Sequence, residues 1–166
     1  MRNQGFRHNI TKRLLTSASG LAIFKIIPPI NFHQDGNAKI ELFTGVLPPN
    51  PFGRFSGWGC TGRWRRGRNI YPKQLMITRL PIISEQDCRH ATPNPVRRIC
   101  TLDTSRRRGT CTGDEGGPLV SIRNNQLIGV LLFSSFEVGI YPDIFVNLIE
   151  PFEQQWVTYN MNILRN

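Results

Sequence analysis

The chain has 166 residues, with 21 Lys and Arg against 11 Asp and Glu, a formal net charge of +10, and 15 Gly and 12 Pro. That length allows one domain with a real core, and the Gly and Pro content suits many short strands joined by turns. No apolar run approaches a membrane span, and no apolar h-region or cleavage site follows the basic opening Met1-Arg2-Asn3-Gln4-Gly5-Phe6-Arg7-His8, so no membrane partner and no secretion signal are expected.

Taken in order, Gly20-Leu21-Ala22-Ile23-Phe24-Lys25-Ile26 reads as an amphipathic strand after a Ser/Gly turn at residues 17–20. Residues 38–43 read as a second strand, followed by the Pro-rich connector Leu47-Pro48-Pro49-Asn50-Pro51. Gln74-Leu75-Met76-Ile77-Thr78-Arg79 alternates as a half-buried strand should. Residues 81–88 predict a strand running into a short helix capped by Ser84. Then comes Gly109-Thr110-Cys111-Thr112-Gly113-Asp114-Glu115-Gly116-Gly117-Pro118-Leu119-Val120, a tight loop whose glycines let successive N–H groups turn toward one point. Residues 118–122 and 126–133 predict two strands around a two-residue turn at Asn124-Asn125. The last predicted element is a helix over 149–163, with Phe152, Trp156 and Val157 on one face.

The loop resembles, at nearly every position, the nucleophile loop of the chymotrypsin/trypsin-like serine peptidases, G-D-S-G-G-P-L-V, except that Glu115 stands where that family has its serine. Further stretches are similar to family motifs: Phe55-Ser56-Gly57-Trp58-Gly59, Pro81-Ile82-Ile83-Ser84-Glu85-Gln86-Asp87-Cys88, Leu127-Ile128-Gly129-Val130 and Tyr141-Pro142-Asp143-Ile144-Phe145. The strand from Gly20 looks like the one that carries the family's catalytic aspartate, with Gly20 at the aspartate position. The resemblance implies an all-β fold, an antiparallel Greek-key barrel with a C-terminal helix. It divides the chain into 1–54, a remnant of the first barrel and the connector, and 55–166, the second barrel with its helix. Residues before about Gly20 are then expected to be poorly packed, and the segment bearing the family's catalytic histidine is expected to be missing upstream.

Cysteine pairing follows from the same resemblance. Cys88 and Cys100 match the ends of one family disulfide, whereas Cys60 and Cys111 are either a replacement bridge or two free thiols. Disulfides would put the chain in an oxidising, extracellular compartment, where the sequon Asn9-Ile10-Thr11 would matter. Without a C-x-x-C pair, no zinc site or other cofactor is expected. The basic residues cluster: Arg63, Arg65, Arg66 and Arg68 around Trp64; Arg106, Arg107 and Arg108 before the central loop; and Arg97 with Arg98. The first two groups would share an anion-attracting face, suited to a sulfated polysaccharide or, through Trp64, to nucleic acid, though nucleic acid is not the expected partner; a solvated face with no specific partner is the alternative.

In the family, histidine takes the serine proton while aspartate orients the histidine. Here those positions carry Gly20 and Glu115, and His8, His33 and His90 lie in polar contexts unlike the family's histidine segment. Gly113 and the backbone of Glu115 remain as an oxyanion-hole-like pair, opposed by the Glu115 charge. Asp114 is expected to be a carboxylate without its family cation, unless a nearby arginine replaces it. The specificity pocket is also altered, with Gly109 in place of an acid, Leu132, Phe133 and Ser134 as its wall, and Asp143 near its back. The expected function is that of a catalytically inactive homologue that binds a protein, either another protease-like chain or its own copy. The alternatives are a peptidase fragment whose missing half supplies the histidine, a basic anion-binding module, and a decayed gene product.

Overall fold

The computed structural model describes residues 6–165 apart from 17, 35, 64–67, 92–97 and 136. Along the chain run β1 (Asn9–Leu15), β2 (Ala22–Ile27), β3 (Phe52–Gly57), β4 (Gly62–Arg63), β5 (Asn69–Ile70), β6 (Met76–Pro81), α1 (Glu85–Ala91), β7 (Arg98–Thr101), β8 (Pro118–Ser121), β9 (Leu127–Phe133), β10 (Asp143–Asn147) and α2 (Pro151–Arg165). Six of these strands form one antiparallel sheet in the order β6-β3-β8-β9-β10-β7. The sheet curls until its ends meet: Ile82 bridges to Thr101, Leu102 N–H donates to Pro81 at 3.0 Å, and Ile83 N–H donates to Cys100 at 3.0 Å. The result is an antiparallel Greek-key barrel followed by a C-terminal helix.

Alternation in the strands supplies the core. Phe55, Leu80, Leu119, Ile128, Leu131 and Phe145 are buried together inside the barrel. Phe55 and Phe145 meet edge to face, with ring centroids 6.0 Å apart. Gly53 belongs to this packing: a Cβ there would lie 2.8 Å from Leu119 Cγ. A second cluster of Leu21, Val146 and Leu148 receives Trp156 and Val157 from α2.

Several expectations are corrected. Residues 38–43 form no strand; the segment runs extended, and only its end pairs, with Phe43 N–H donating to Leu127 and Leu127 N–H to Glu41. The connection between β8 and β9 is a four-residue turn over 122–125, closed by Ser121 N–H donating to Gln126 at 2.8 Å, with Asn125 at φ 57°. In α2, Phe152 is exposed, and the inward face carries Glu153, Trp156, Val157 and Leu164. The dividing line at 54/55 falls inside β3. Residues before Gly20 do form a strand, β1, paired with β2, although of its residues only Leu14 is even half-buried. The Ser84 cap is present: its Oγ accepts the Asp87 N–H at 3.1 Å and donates to the Asp87 carboxylate at 2.6 Å.

Candidate functional site

The loop between Gly109 and Pro118 is held from three sides. Below it, Gly116 N–H donates to Leu131 at 2.8 Å, and Leu131 N–H returns to Gly117 at 2.9 Å, so the loop is fastened to β9. Beside it, Cys111 is joined to Cys60, with Cα atoms 5.1 Å apart, and Cys60 N–H donates to Thr112 at 3.1 Å. At its start, the Asp143 carboxylate accepts the N–H of Thr110 and that of Ser135, both at 3.0 Å. Cys88 is joined to Cys100, tying α1 to β7 away from this loop.

Within the loop, Glu115 folds back on its own backbone. Its Oε2 accepts the Gly113 N–H at 2.8 Å, and Gly113 sits at φ +96°, a conformation open to glycine. Partial burial pushes the Glu115 carboxyl up, but backbone hydrogen bonding at Glu115 and Gly113, together with Ser134, outweighs it and holds the group below the ordinary glutamate range. The Gly113 N–H, one of the two expected to shape an oxyanion pocket, therefore serves the side chain of Glu115.

Asp114 is not orphaned. Its Oδ1 accepts Gly59 N–H at 2.6 Å and its Oδ2 accepts Cys111 N–H at 3.0 Å. Among the described residues no arginine pairs with it. Arg108 turns instead to Asp103, with Nε 2.8 Å from Oδ2. Hydrogen bonds from Ser105 and Arg108 hold the Asp103 carboxyl below its ordinary range against its burial.

Gly20 lies beside β9. A Cβ there would be 3.0 Å from Leu132 Cδ1, and its φ of +82° disfavours any larger residue. Gly20 and the Glu115 loop thus meet adjacent residues of one strand, Leu132 and Leu131. Where the sequence places a specificity pocket, Val138 lies against Gly109: a Cβ on Gly109 would lie 3.1 Å from one of its methyls. Ser134 Oγ donates to Cys111 at 3.1 Å, and Phe133 is partly exposed on the far side. Burial raises the Asp143 carboxyl above the ordinary aspartate range, against its two backbone hydrogen bonds. Asp143 is therefore a buried tether between residues 110 and 135. Sequence reading missed both Val138, which stands in no recognisable spacing, and the tether, which depends on residues 33 apart meeting.

Of the three histidines, His8 Nδ1 lies 2.5 Å from the Pro28 carbonyl, His33 is in the turn after Asn31, and His90 is in the last turn of α1. No three of His, Cys, Asp or Glu among the described residues could hold a metal ion. No helix among them is long and apolar enough to cross a membrane. Of the arginine loop, Trp64, Arg65 and Arg66 lie outside the described residues, as does Arg97; Arg63 is in β4, and Arg68, Arg106 and Arg107 are exposed.

The family model for trypsin matches residues 16–152. Trypsin II-P29 of Gallus gallus is 33% identical over 99 residues, covering 56% of this chain and 37% of that protein. Serine protease SP24D of Anopheles gambiae is 36% identical over 94 residues, covering 57% and 32%. Trypsin delta of Drosophila erecta is 25% identical over 149 residues, covering 87% and 56%. The chain thus spans between a third and a little over half of the length of these curated relatives. Among solved structures, neuropsin, a serine protease expressed in the limbic system of mouse brain, superposes with a TM-score of 0.79 at 20% identity, over 93% of this chain and 71% of that one, a likeness of fold.

Proposed function

The chain belongs to the trypsin family, and on that premise we propose that it is a member without peptidase chemistry that works by binding. The single observation that carries this reading is the Glu115 carboxylate, which stands at the nucleophile's place and accepts the Gly113 N–H at 2.8 Å. A carboxylate there has no proton to lose to a base, and its charge opposes the oxyanion that acyl transfer must form. Gly20 supports the same reading, since glycine can neither orient nor stabilise an imidazolium. Val138 beside Gly109 leaves little room for a substrate side chain. The competing reading, a peptidase completed by a histidine from elsewhere, meets two obstacles inside this chain, at Gly20 and at Glu115. The two disulfides and the secreted character of trypsins favour an extracellular setting.

The test is direct. Purified protein treated with a fluorophosphonate should show no adduct by intact-mass spectrometry and no turnover of peptide esters or amides. A stoichiometric adduct would overturn the proposal.

A further inference from the structure

Arg54 on β3 and Arg79 on β6 stand directly opposite each other in the antiparallel register. Their neighbours Phe55 and Leu80 are buried inside the barrel, so strand alternation turns both arginines to the outer face, where both are exposed. Directly opposed residues hold their Cβ atoms about 5 Å apart, and like charges so placed work against the pairing. No carboxylate relieves the repulsion: the ion pairs among the described residues are Arg89–Glu85 and Arg108–Asp103.

The pair belongs to a longer row. Arg54 donates through Nη2 to the side-chain oxygen of Asn125, which brings the 122–125 turn and its exposed Arg123 alongside. At the other end, Arg107 lines a hollow shared with Ile77 and Thr78, to which Arg108 and Asp114 also contribute. Ile77 faces outward, two residues from Arg79, a step of roughly 7 Å along a strand. Arg79 and Arg54 on paired strands, with Arg107 and Arg123 on the loops at either end, therefore form a cationic row.

We propose that this row binds a sulfated polysaccharide. Planar guanidinium groups recognise sulfate oxygens in pairs, and a track of them fits a ligand whose charge repeats along its length better than one isolated anion. Paired strands hold the spacing of Arg54 and Arg79, so the entropy lost on binding there is smaller than for a flexible loop. Two disulfides favour a compartment in which sulfated glycans, rather than nucleic acids, are the polyanions encountered.

The experiment is calorimetric titration with a heparin decasaccharide near physiological ionic strength, comparing Arg54→Glu/Arg79→Glu with Lys12→Glu/Arg13→Glu, which has the same net charge. The first should weaken binding by about tenfold or more, the second by no more than about threefold. Arg54→Gln/Arg79→Gln guards against misfolding: it should lose at least about threefold in affinity while keeping or raising the melting temperature, because repulsion across the pair is gone. Equal losses in the two charge-reversed proteins would reduce the effect to overall charge and overturn the site. So would an oligonucleotide of matched charge that binds more tightly than the decasaccharide, or undiminished binding by the glutamine variant.

Discussion

Glu115 Oε2 accepts the backbone N–H of Gly113 at 2.8 Å, so on the proposed reading a donor that an oxyanion would need is taken by the side chain in the nucleophile's place. Replacing Glu115 by Ser would free that donor without creating an enzyme. At Gly20 the backbone φ of +82° and the Leu132 methyl both resist the aspartate that a histidine would require. Glu115→Ser is expected to remain unreactive toward fluorophosphonates. It should also lose stability on the order of 1 kcal/mol, because a hydrogen bond from backbone to charged carboxylate disappears. Mass spectrometry and urea denaturation measure the two parts separately; rapid labelling of this variant would show that the loop is catalytically poised after all.

Falling and rising pH should act on different carboxylates. Glu115 and Asp103 are held below their ordinary ranges, so what they contribute is fully present above those ranges and fades as pH falls through the lowered values. Asp143 runs the other way. Burial raises it, so the folded protein keeps a proton that the unfolded chain has released, and stability falls as pH climbs from the ordinary aspartate range through the raised value. Asp143→Asn should therefore remove the decline on that upper side and leave the acid limb in place. Unfolding free energies measured across the carboxylate range for both proteins decide it; parallel curves would mean that Asp143 ionises normally.

What the sequence made legible was local. The stretch from Gly109 to Val120 announced itself because a Gly-rich turn into a strand uses residues that are neighbours in the chain, and Ser84 could be read as a cap for the same reason. Residues 38–43 misled because Lys39 and Glu41 alternate with apolar residues as in a strand, whereas among the described residues the segment bridges to a strand only at Leu127. Asn124-Asn125 looked like a two-residue turn, but Ser121 bonds to Gln126 and four residues close the hairpin. The approach of Val138 to Gly109 and the satisfaction of Asp114 by Gly59 and Cys111 needed three-dimensional placement. Composition carries no trace of either.

The Cys60–Cys111 bond closes a longer stretch of chain than Cys88–Cys100, with sequence separations of 51 and 12. In the chain-entropy picture, removing the longer one costs about 4 kcal/mol and the shorter about 3 kcal/mol. Only the first touches the central loop. Cys60→Ala/Cys111→Ala is expected to lower the melting temperature more than Cys88→Ala/Cys100→Ala and to speed amide exchange at Gly113. Unchanged exchange there would mean that the Asp114 and Glu115 hydrogen bonds hold the loop alone.

Glu153 is fully buried on α2, and neither carboxylate oxygen has a hydrogen-bond partner among the described residues. Arg98 donates through Nη1 to the Ser19 carbonyl at 3.2 Å, and its own pKa is lowered by burial and raised in part by Glu153. Taking away the cation leaves a buried anion uncompensated, a change that typically costs several kcal/mol. Glu153→Gln removes the charge that needs compensation. Arg98→Met should therefore destabilise the protein clearly more than Glu153→Gln, by urea denaturation. Equal effects would show that the two residues do not act as a pair.

The β1–β2 hairpin should make the protein associate. These two strands pair only with each other, so among the described residues each has an outer edge with unpaired backbone groups. The hairpin also carries Ile10, Leu15, Phe24 and Ile27 at least half exposed, except Phe24, which falls just short at 49%. Open edges invite a strand from another chain, and clustered apolar side chains favour the same contact by burial. Basic residues on the hairpin, Lys12, Arg13 and Lys25, oppose a second copy at low salt, so self-association should strengthen as salt screens them. Sedimentation velocity at low micromolar concentration is expected to show a dimer or larger species that grows with ionic strength, and Ile10→Lys/Phe24→Lys should shift it to monomer. A wild-type protein that stays monomeric at high salt and unfolds cooperatively would mean that α2, which packs against β2, protects the hairpin well enough by itself.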